Sequence, residues 1–319
     1  MVTCAIIGLG QIGYQYDANI ERENYKLTHT STINSISEFE LIFAIEIDPT
    51  KRLEFGKSTG IQTFESIESL PSNIKISGIE LVVIATPPSL HLTNFQEALA
   101  LRPRAVLFEK PLAQSLLDAQ KIDQLAVENG VELFINYQRN YIPAFQEIRK
   151  KIVVTGEPER YNLSGWFQGD MLNSGSHLIA LIDSIFPGYL NNFIWSDIFG
   201  SHFEFKQGVL TLNLNRVDQL DGSIFSLEIV GSNFLARYDS HLESVSFSFP
   251  GEDKAYKNQI SLQAPSYTIS TMETNCIQFV YREILNYFNG SPYYSYGAKN
   301  ALFVMDFVVN LMNKKSGGN

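Results

Sequence analysis

The sequence predicts an α/β domain with a doubly wound parallel sheet, followed by an α+β domain with an open, mostly antiparallel sheet. Three observations support this prediction. Apolar, β-rich runs alternate with helical segments over the first 135 or so residues, and a glycine-rich turn directly follows the first run. After about residue 150, apolar residues instead alternate strictly with polar ones. Strands that are apolar on both faces indicate a parallel sheet covered by helices, whereas alternation indicates antiparallel strands with one buried face.

The strands predicted for the first domain are short and almost wholly apolar. They are Val2–Ile7, Leu41–Glu46, Leu81–Ala85, Ala105–Phe108 and Glu132–Ile135. Helices are predicted between them at Thr30–Ser37, Pro49–Lys57, Leu90–Leu101 and Gln114–Asn129, the last ended by Gly130. Alternating units of this kind, joined by right-handed connections, form a doubly wound sheet.

The second domain is predicted from three alternating strands and the helices around them. The strands carry Leu210, Leu212 and Leu214, then Phe225, Leu227 and Ile229, then Val245, Phe247 and Phe249. Helices are predicted from near Gly175 to before Pro187, at Met272–Phe288 and at Ala298–Asn313, and the polar segment Gly251–Thr271 is predicted to be a loop. We divide the chain into a dinucleotide-binding domain, residues 1–120, and a substrate-binding and oligomerisation domain, residues 121–319.

Composition excludes several classes of function. The 319 residues carry a net charge of -10 without a basic run, which argues against nucleic acid as a partner. No apolar stretch reaches the roughly 20 residues that span a bilayer, and no signal peptide is recognisable. Cys4 and Cys276 are too few and too distant for a disulfide framework or a metal cluster. We therefore expect a cytoplasmic protein without a metal site or a membrane partner.

The segment Gly8-Leu9-Gly10-Gln11-Ile12-Gly13 has the pattern G-x-G-x-x-G directly after a predicted strand. The first glycine permits a tight turn, the second lets the backbone approach a pyrophosphate, and the third allows close packing of helix on strand. The phosphates would lie at a helix N-terminus. This loop predicts a dinucleotide site to which Gly8, Gly10, Gln11, Ile12 and Gly13 contribute.

Glu46 is the candidate ribose ligand. The acidic residue of such sites usually follows the glycine loop by about 20 residues, and Glu46 comes later because the polar, aromatic segment Tyr14–Leu27 looks inserted. Its carboxylate can accept hydrogen bonds from both ribose hydroxyls of NAD and would repel the 2′-phosphate of NADP. We expect NAD rather than NADP, although Lys51 and Arg52 are near. Asp48 is predicted to cap the next helix.

Thr86-Pro87-Pro88 follows another predicted strand, and two prolines there make the turn rigid. At the carboxyl edge of the sheet this turn could line the nicotinamide ribose. We therefore predict that Thr86, Pro87 and His91 contact the cofactor, with a simple stiff connection as the alternative for His91.

Glu109-Lys110-Pro111 ends the predicted strand Ala105–Phe108. Open α/β sheets bind their ligands at the carboxyl ends of their strands, so an amine there can serve as acid, base or electrostatic clamp. A solvated lysine at the end of a strand is the alternative, and these residues alone favour it.

Together these segments resemble the Gfo/Idh/MocA oxidoreductases, named for glucose-fructose oxidoreductase and inositol dehydrogenase. The matching segments are Gly8–Gly13, Glu46, Ala85–His91, Glu109–Pro111, Asn136–Asn140 and Asn173–Ile179. The resemblance covers the chain to about residue 187, and Glu-Lys-Pro is its most specific element. It implies a Rossmann domain and NAD(P)-dependent hydride transfer to or from a hydroxyl-bearing carbon of a sugar, inositol or nucleotide-sugar.

The resemblance also implies roles for individual residues. The family's lysine contacts the reacting oxygen, which assigns that role to Lys110 and makes Glu109 and Lys110 predicted contacts of the cofactor. The family pattern Asp-x-Gly-x-His appears as Asn173-x-Gly175-x-His177, so His177 is the implied proton acceptor in oxidation, a role that suits an imidazole. Lys110 would stabilise the developing alkoxide, or act as the base if burial lowers its pKa. The sequence does not choose between these roles.

Two positions depart from the family pattern. Asn173 can orient a hydroxyl but cannot ionise, and Ala180 stands where the family has aspartate. The predicted catalytic residues are Lys110, His177 and Asn173, and the predicted substrate contacts are these three with Tyr137 and Arg139. Arginine can bind a carboxylate or phosphate through two hydrogen bonds.

Alternatives remain for the insertion and for the function. Tyr14–Asp17 and Leu27–Thr30 resemble a family branch associated with bacterial surface-sugar biosynthesis, and the insertion could cover the cofactor, reach the substrate or form a surface loop. An NAD-dependent glycoside hydrolase and a catalytically weakened NAD-binding regulator or scaffold are the other functions considered. We expect a homodimer or homotetramer, because an open sheet leaves one face to be covered.

Overall fold

The computed structural model describes residues 1–18, 20, 25–72, 78–154, 160–190, 194–199, 202–207, 210–217 and 224–316. Contacts group these residues into two compact units: Met1–Tyr141 with Thr274–Asp306, and Ile142–Glu273 with the residues from Phe307 onward. The division suggested after residue 120 differs from this one, since it falls inside the helix Leu116–Asn129. The first unit extends further because the last strand of its sheet follows that helix.

The first unit contains a six-stranded parallel sheet, and this confirms the predicted doubly wound α/β domain. Its strands are β1 (Val2–Ile7), β2 (Phe39–Ile45), β3 (Gln62–Phe64), β4 (Leu81–Ile84), β5 (Ala105–Phe108) and β6 (Glu132–Ile135). Their order is β3-β2-β1-β4-β5-β6, and every pair is parallel. Every residue of β4 and β5 is buried, as expected for strands covered on both faces.

Helices of both units begin and end within five residues of the predicted positions, except Pro143–Val154, which was not predicted. They are α1 (His29–Ser35), α2 (Pro49–Thr59), α3 (His91–Ala98), α4 (Leu116–Asn129), α5 (Pro143–Val154), α6 (Ser176–Ile185), α7 (Ile277–Phe288) and α8 (Ala298–Ser316). Local chemistry sets several of these ends. Asp48 caps α2 by accepting a hydrogen bond from the Thr50 N–H at 2.8 Å, as predicted, and Gly130 ends α4 with a φ of 66°. None of the helices in the described segments combines the length and apolar character that a membrane span requires.

The second unit contains an eight-stranded sheet with the order β16-β13-β12-β11-β7-β10-β9-β8. Its strands are β7 (Tyr161–Gln168), β8 (Ile194–Phe199), β9 (His202–Gln207), β10 (Leu210–Val217), β11 (Phe225–Val230), β12 (Leu235–Asp239), β13 (Ser244–Ser248) and β16 (Tyr267–Ser270). Only the pair of β7 and β10 is parallel among the pairs described. The alternating residues of β10 and β11 are buried, which confirms the predicted open, mostly antiparallel sheet.

The segment 251–271 is not the irregular loop that the sequence suggested. It contributes to a two-stranded ribbon, β14 (Pro250–Glu252) with β15 (Ile260–Leu262), and to the sheet-edge strand β16. These strands have three or four residues and are mostly exposed, so their sequences lack the buried alternation that reveals a strand.

Candidate active site

The glycine loop lies between β1 and the turn that follows β4. Gly8 has a φ of +100°, and a Cβ there would lie 2.9 Å from the carbonyl of Ala85. A Cβ on Gly13 would lie 2.2 Å from the Gly8 oxygen, whereas a Cβ on Gly10 would meet nothing within 4 Å. Gly8 and Gly13 are therefore required by packing. Gly10 instead faces open space, and without a side chain its backbone is accessible, as close approach of a pyrophosphate requires.

The insertion begins directly after this loop. The helical turn Gln11–Gln15 is short, with the N–H groups of Tyr14 and Gln15 both bonded to the Gly10 carbonyl. Thr30 in α1 then donates a hydrogen bond to the Gly13 carbonyl at 2.7 Å. Helix α1 is thus fastened to the glycine loop although the intervening segment separates them in sequence.

Asp17 joins the two ends of the inserted segment. Its carboxylate accepts hydrogen bonds from the Leu27 N–H at 2.7 Å, from the Thr28 hydroxyl at 2.7 Å and from the Ser31 hydroxyl at 2.5 Å. Thr28 in turn caps α1 through the Ser31 N–H. Residues 19 and 21–24 of the insertion lie outside the described residues, so the prediction that it covers the cofactor is untested.

Glu46 follows β2 and faces the glycine loop. Its carboxylate accepts the Leu9 N–H at 2.8 Å through Oε2 and the Asp48 N–H at 3.0 Å through Oε1. Each carboxylate oxygen has a second lone pair, so these two bonds leave acceptor capacity for ribose hydroxyls. Arg52 donates to the carbonyl oxygens of Glu46 at 2.6 Å and Ile47 at 2.9 Å. The arrangement fits NAD, since the carboxylate is oriented and the nearby guanidinium is already bound to backbone.

His91 is fully buried beneath the turn that follows β4. Its side chain is 0% exposed, and its ring nitrogens lie 2.8 Å from the Thr86 carbonyl oxygen and 3.0 Å from the Leu112 carbonyl oxygen. Burial lowers the pKa of His91, and the two carbonyl contacts oppose this only in part. His91 therefore links the turn after β4 to the segment after β5, which favours the alternative of a stiff connection, and its contact with the cofactor stays a prediction. Thr86 and Pro87 are partly or fully exposed on that turn.

Glu109 and Lys110 follow β5 at the same edge of the sheet as the glycine loop, because β5, β4 and β1 are parallel neighbours. The Glu109 side chain is 13% exposed and both of its oxygens are engaged. Oε1 accepts from Asn136 Nδ2 at 2.6 Å and lies 3.1 Å from His29 Nε2, and Oε2 accepts from the Lys110 N–H at 3.3 Å. Glu109 thus orients its own loop, and its predicted contact with the cofactor stays a prediction.

The charge of Glu109 is stabilised by its neighbours. Burial alone would raise the pKa of this carboxyl, but the hydrogen bond and charge of His29, the amide of Asn136 and the charge of Lys110 hold the pKa below its usual value. Glu109 is therefore ionised near neutral pH and can only accept hydrogen bonds. It follows that His29 Nε2 carries the hydrogen in this contact.

Three members of this cluster were not predicted as site residues. His29 lies fully buried at the start of α1, with Nδ1 2.9 Å from the Tyr281 hydroxyl of α7. Burial raises the pKa of Tyr281 well above its usual value, so the phenol stays protonated. His29 and Asn136 belong to segments that resemble the family, but nothing in those segments points to a shared partner that lies 80 residues from His29 and 27 residues from Asn136.

Tyr137 is buried in the core of the first unit. Its side chain is 1% exposed and packs edge-on against Tyr296, with ring centroids 5.6 Å apart. This packing favours a structural role, and the contact of Tyr137 with substrate stays a prediction. Arg139 lies partly exposed in the short helical turn Gln138–Tyr141, and its role stays a prediction.

Asn173 and His177 belong to the second unit. Asp170 begins the helical turn Met171–Gly175 by accepting the Asn173 N–H at 2.7 Å, and the Ser176 hydroxyl donates to the Asn173 oxygen at 3.0 Å. A Cβ on Gly175 would lie 2.3 Å from the Met171 sulfur, so glycine is needed at this turn. Asn173 is exposed, and His177 lies in the first turn of α6. Their predicted roles in catalysis stay proposals.

Comparison with known proteins identifies the first unit. Residues 2–137 match the family model of the Gfo/Idh/MocA oxidoreductases, which describes an oxidoreductase family with an NAD-binding Rossmann fold. Through this region, 136 of the 319 residues, the chain matches the Gfo/Idh/MocA family. The matched region contains the glycine loop, Glu46 and Lys110. The cofactor of this region is therefore NAD.

Two relatives with known or assigned activities each match part of the chain. One, assigned as the oxidoreductase subunit of a UDP-kanosamine synthase in Amycolatopsis mediterranei, is 28% identical over 169 residues, 52% of this chain and 41% of the relative. The scyllo-inositol 2-dehydrogenase (NAD(+)) of Bacillus subtilis is 24% identical over 151 residues, 47% of this chain and 40% of the relative. The matches thus span about two fifths of these relatives.

A solved structure agrees over the whole chain. The inositol dehydrogenase homologue of Azotobacter vinelandii, in complex with NADH and myo-inositol, superposes with a TM-score of 0.69 over 100% of this chain and 96% of its own. The sequences are 14% identical, so the likeness establishes the fold alone. It shows that the second unit, which the family model does not match, also has a fold seen in this inositol dehydrogenase homologue.

Proposed function

We propose that this protein is a member of the Gfo/Idh/MocA family and an NAD-dependent dehydrogenase or reductase that acts on a hydroxyl-bearing carbon of a sugar or nucleotide-sugar. The observation that supports this most is the position of Lys110. It follows β5 at the sheet edge where the glycine loop and Glu46 also lie. Its neighbour Glu109 is in contact with His29, Asn136 and the Lys110 N–H. An amine at that edge would lie beside the reacting end of a dinucleotide bound along the loop.

The proposed oxidation divides between the cofactor and the protein. When bound, NAD⁺ supplies the acceptor for the hydride that leaves the carbon. Lys110 binds the hydroxyl oxygen and its positive charge stabilises the developing alkoxide. His177 takes the hydroxyl proton, so that the carbon and oxygen are left as a carbonyl group, and it returns a proton in the reverse direction. The amide of Asn173 orients a neighbouring hydroxyl.

The names of the relatives set the range of substrates to test. One relative acts on scyllo-inositol, one is assigned to the synthesis of UDP-kanosamine, and one structure holds myo-inositol. We propose a cyclic polyol or sugar, free or linked to a nucleotide, because each of these presents a ring carbon bearing a hydroxyl. A panel of inositols, hexoses and UDP-sugars with NAD⁺ covers this range.

The decisive experiment follows NADH absorbance with this panel for the wild type and for Lys110→Met. The wild type is expected to form NADH with at least one compound, and the variant to lose about 10²-fold or more in kcat while binding NADH normally. The matched control is Lys121→Met, which removes an exposed lysine on α4 and should leave turnover unchanged. Full activity of Lys110→Met would refute the role given to Lys110.

The same panel separates the alternative functions. A glycoside hydrolase would release an aglycone without net formation of NADH. A regulator or scaffold, which Asn173 and Ala180 suggest, would bind NADH tightly and turn over none of the compounds.

We also propose a homodimer or homotetramer. One face of the second sheet is exposed at Trp166 in β7 and Val230 in β11, which are 42% and 39% exposed. A second copy covering this face would bury both side chains. Light scattering at micromolar concentration should give the mass of two or four chains, and a monomer would contradict the proposal.

A further inference from the structure

Glu109 gathers donors from three separate parts of the first unit. His29 comes from the start of α1, Asn136 follows β6, and the Lys110 N–H belongs to the loop after β5. The two side-chain donors share Oε1, whereas Oε2 is left to the backbone of Lys110. The carboxylate therefore connects the backbone of Lys110 to one side chain from α1 and one from the segment after β6.

We propose that Glu109 is a positioning residue for Lys110, and that His29 acts on Lys110 through Glu109. In this arrangement His29 and Asn136 fix one oxygen of the carboxylate. The other oxygen then holds the Lys110 N–H, and the negative charge favours the ammonium form of the Lys110 side chain. The inference rests on the function proposed for Lys110, because a positioned lysine matters only if it meets the substrate.

The burial of Glu109 supports positioning over simple packing. An ionised carboxylate in a nearly closed site is costly unless its oxygens are hydrogen-bonded. An apolar residue would fill the same space without that cost, so the charge at position 109 calls for a role that packing does not supply. The neighbouring ammonium group of Lys110 is the positive charge that ionised Glu109 would stabilise.

Four titratable groups face Glu109. His29 approaches from α1, and Lys110 is the next residue in the chain. The charge of Glu109 also acts on His91 of α3, whose two ring nitrogens both contact carbonyl oxygens. Tyr281 of α7 stands behind His29 and lies close enough for the same charge to act on its hydroxyl. Since Lys110 favours the charged form of Glu109, the carboxylate must equally favour the charged form of Lys110.

The first test reads Lys110 directly and needs no substrate. Competitive labelling with trace acetic anhydride, followed by mass spectrometry, measures the reactivity of each amine, with Lys121 as the internal reference. In Glu109→Gln, Lys110 is expected to react several-fold faster at pH 8, relative to Lys121, because more of it is uncharged. An unchanged ratio in a variant with native circular dichroism would overturn the coupling between Glu109 and Lys110.

The second test asks whether His29 acts through Glu109. The Gln side chain can place an amide N–H near the position of His29 Nε2, whereas Leu fills the space without a donor. His29→Gln is expected to keep kcat within a few-fold of the wild type, and His29→Leu to lose about 10-fold to 10²-fold with NADH affinity unchanged. A packing role predicts the opposite order, with Leu tolerated better than Gln.

A double-mutant cycle completes the test. If His29 works through Glu109, then His29→Leu should cause little further loss of kcat in a Glu109→Gln background, whereas additive losses would overturn the inference.

If no compound in the panel is turned over, the function proposed for Lys110 fails. The labelling ratio still decides whether Glu109 sets the charge of Lys110. Urea unfolding of each variant identifies any that fail to fold, and Glu109→Asp, which keeps the negative charge, should label Lys110 like the wild type.

Discussion

His29 Nε2 lies 3.1 Å from Glu109 Oε1, and this contact joins the end of the inserted segment to the most family-specific motif of the chain. His29 is the first residue of α1, which begins where the insertion ends. Although the insertion lengthens this connection, the buried imidazole of His29 still contacts Glu109, the residue before Lys110. Asp17 makes this possible by tying the start of the insertion to the cap of α1.

The lowered pKa of Glu109 predicts a pH dependence of stability. The folded-state pKa lies below the usual 4.5, so the stability that the ionised carboxyl contributes is fully present above pH 4.5 and is lost as the pH falls through the lowered value. The difference in unfolding free energy between the wild type and Glu109→Gln should stay constant near neutral pH and shrink below pH 4.5. Urea unfolding across this range measures it, and a difference that does not change with pH would contradict the prediction.

The glycine loop predicts opposite effects for two neighbouring substitutions. Gly10→Ala adds a methyl group to open space, so the free energy of unfolding should be unchanged while NADH affinity falls about tenfold. Gly13→Ala places a methyl group against the Gly8 oxygen and should destabilise the fold by about 1–3 kcal/mol. Fluorescence titration of NADH and urea unfolding give the two values. Equal loss of affinity and stability in both variants would show that Gly10 is structural.

Glu46 predicts the preference between the two nicotinamide cofactors. Glu46→Gln keeps an oxygen for the Leu9 N–H but removes the charge, so affinity for NADH should fall and the ratio of NADPH to NADH affinity should rise about tenfold. Asp48→Ala is the control two residues away, since it should cost about 1 kcal/mol of stability through lost capping of α2 without changing the ratio. A ratio unmoved by Glu46→Gln would remove Glu46 from the ribose site.

Asp17 is predicted to be a structural anchor of the inserted segment. Asp17→Ala leaves the Leu27 N–H and the Thr28 hydroxyl without their acceptor and should lower the free energy of unfolding by about 1–3 kcal/mol. Asp17→Asn keeps one oxygen and should give an intermediate loss. Urea unfolding of the three proteins checks the order, and identical midpoints would contradict it.

Local signals explain how much of this fold could be predicted. The glycine loop, the apolar strands and the cap at Asp48 are short patterns whose chemistry is complete within a few residues. His29, Asn136 and Tyr281 could not be recognised in this way, since Tyr281 meets His29 across 252 residues of sequence. The same limit explains why the burial of His91 and Tyr137 was not foreseen, because a motif shows the residue type and not whether the fold encloses its side chain.

A crystal structure with NADH bound tests the role of Lys110 most directly. The pyrophosphate should lie against Gly10, the adenosine ribose should bind Glu46, and the nicotinamide ring should reach the sheet edge beside Thr86 with its reacting carbon next to Lys110. A nicotinamide ring that lies away from Lys110 while the pyrophosphate occupies the glycine loop would contradict the proposed chemistry.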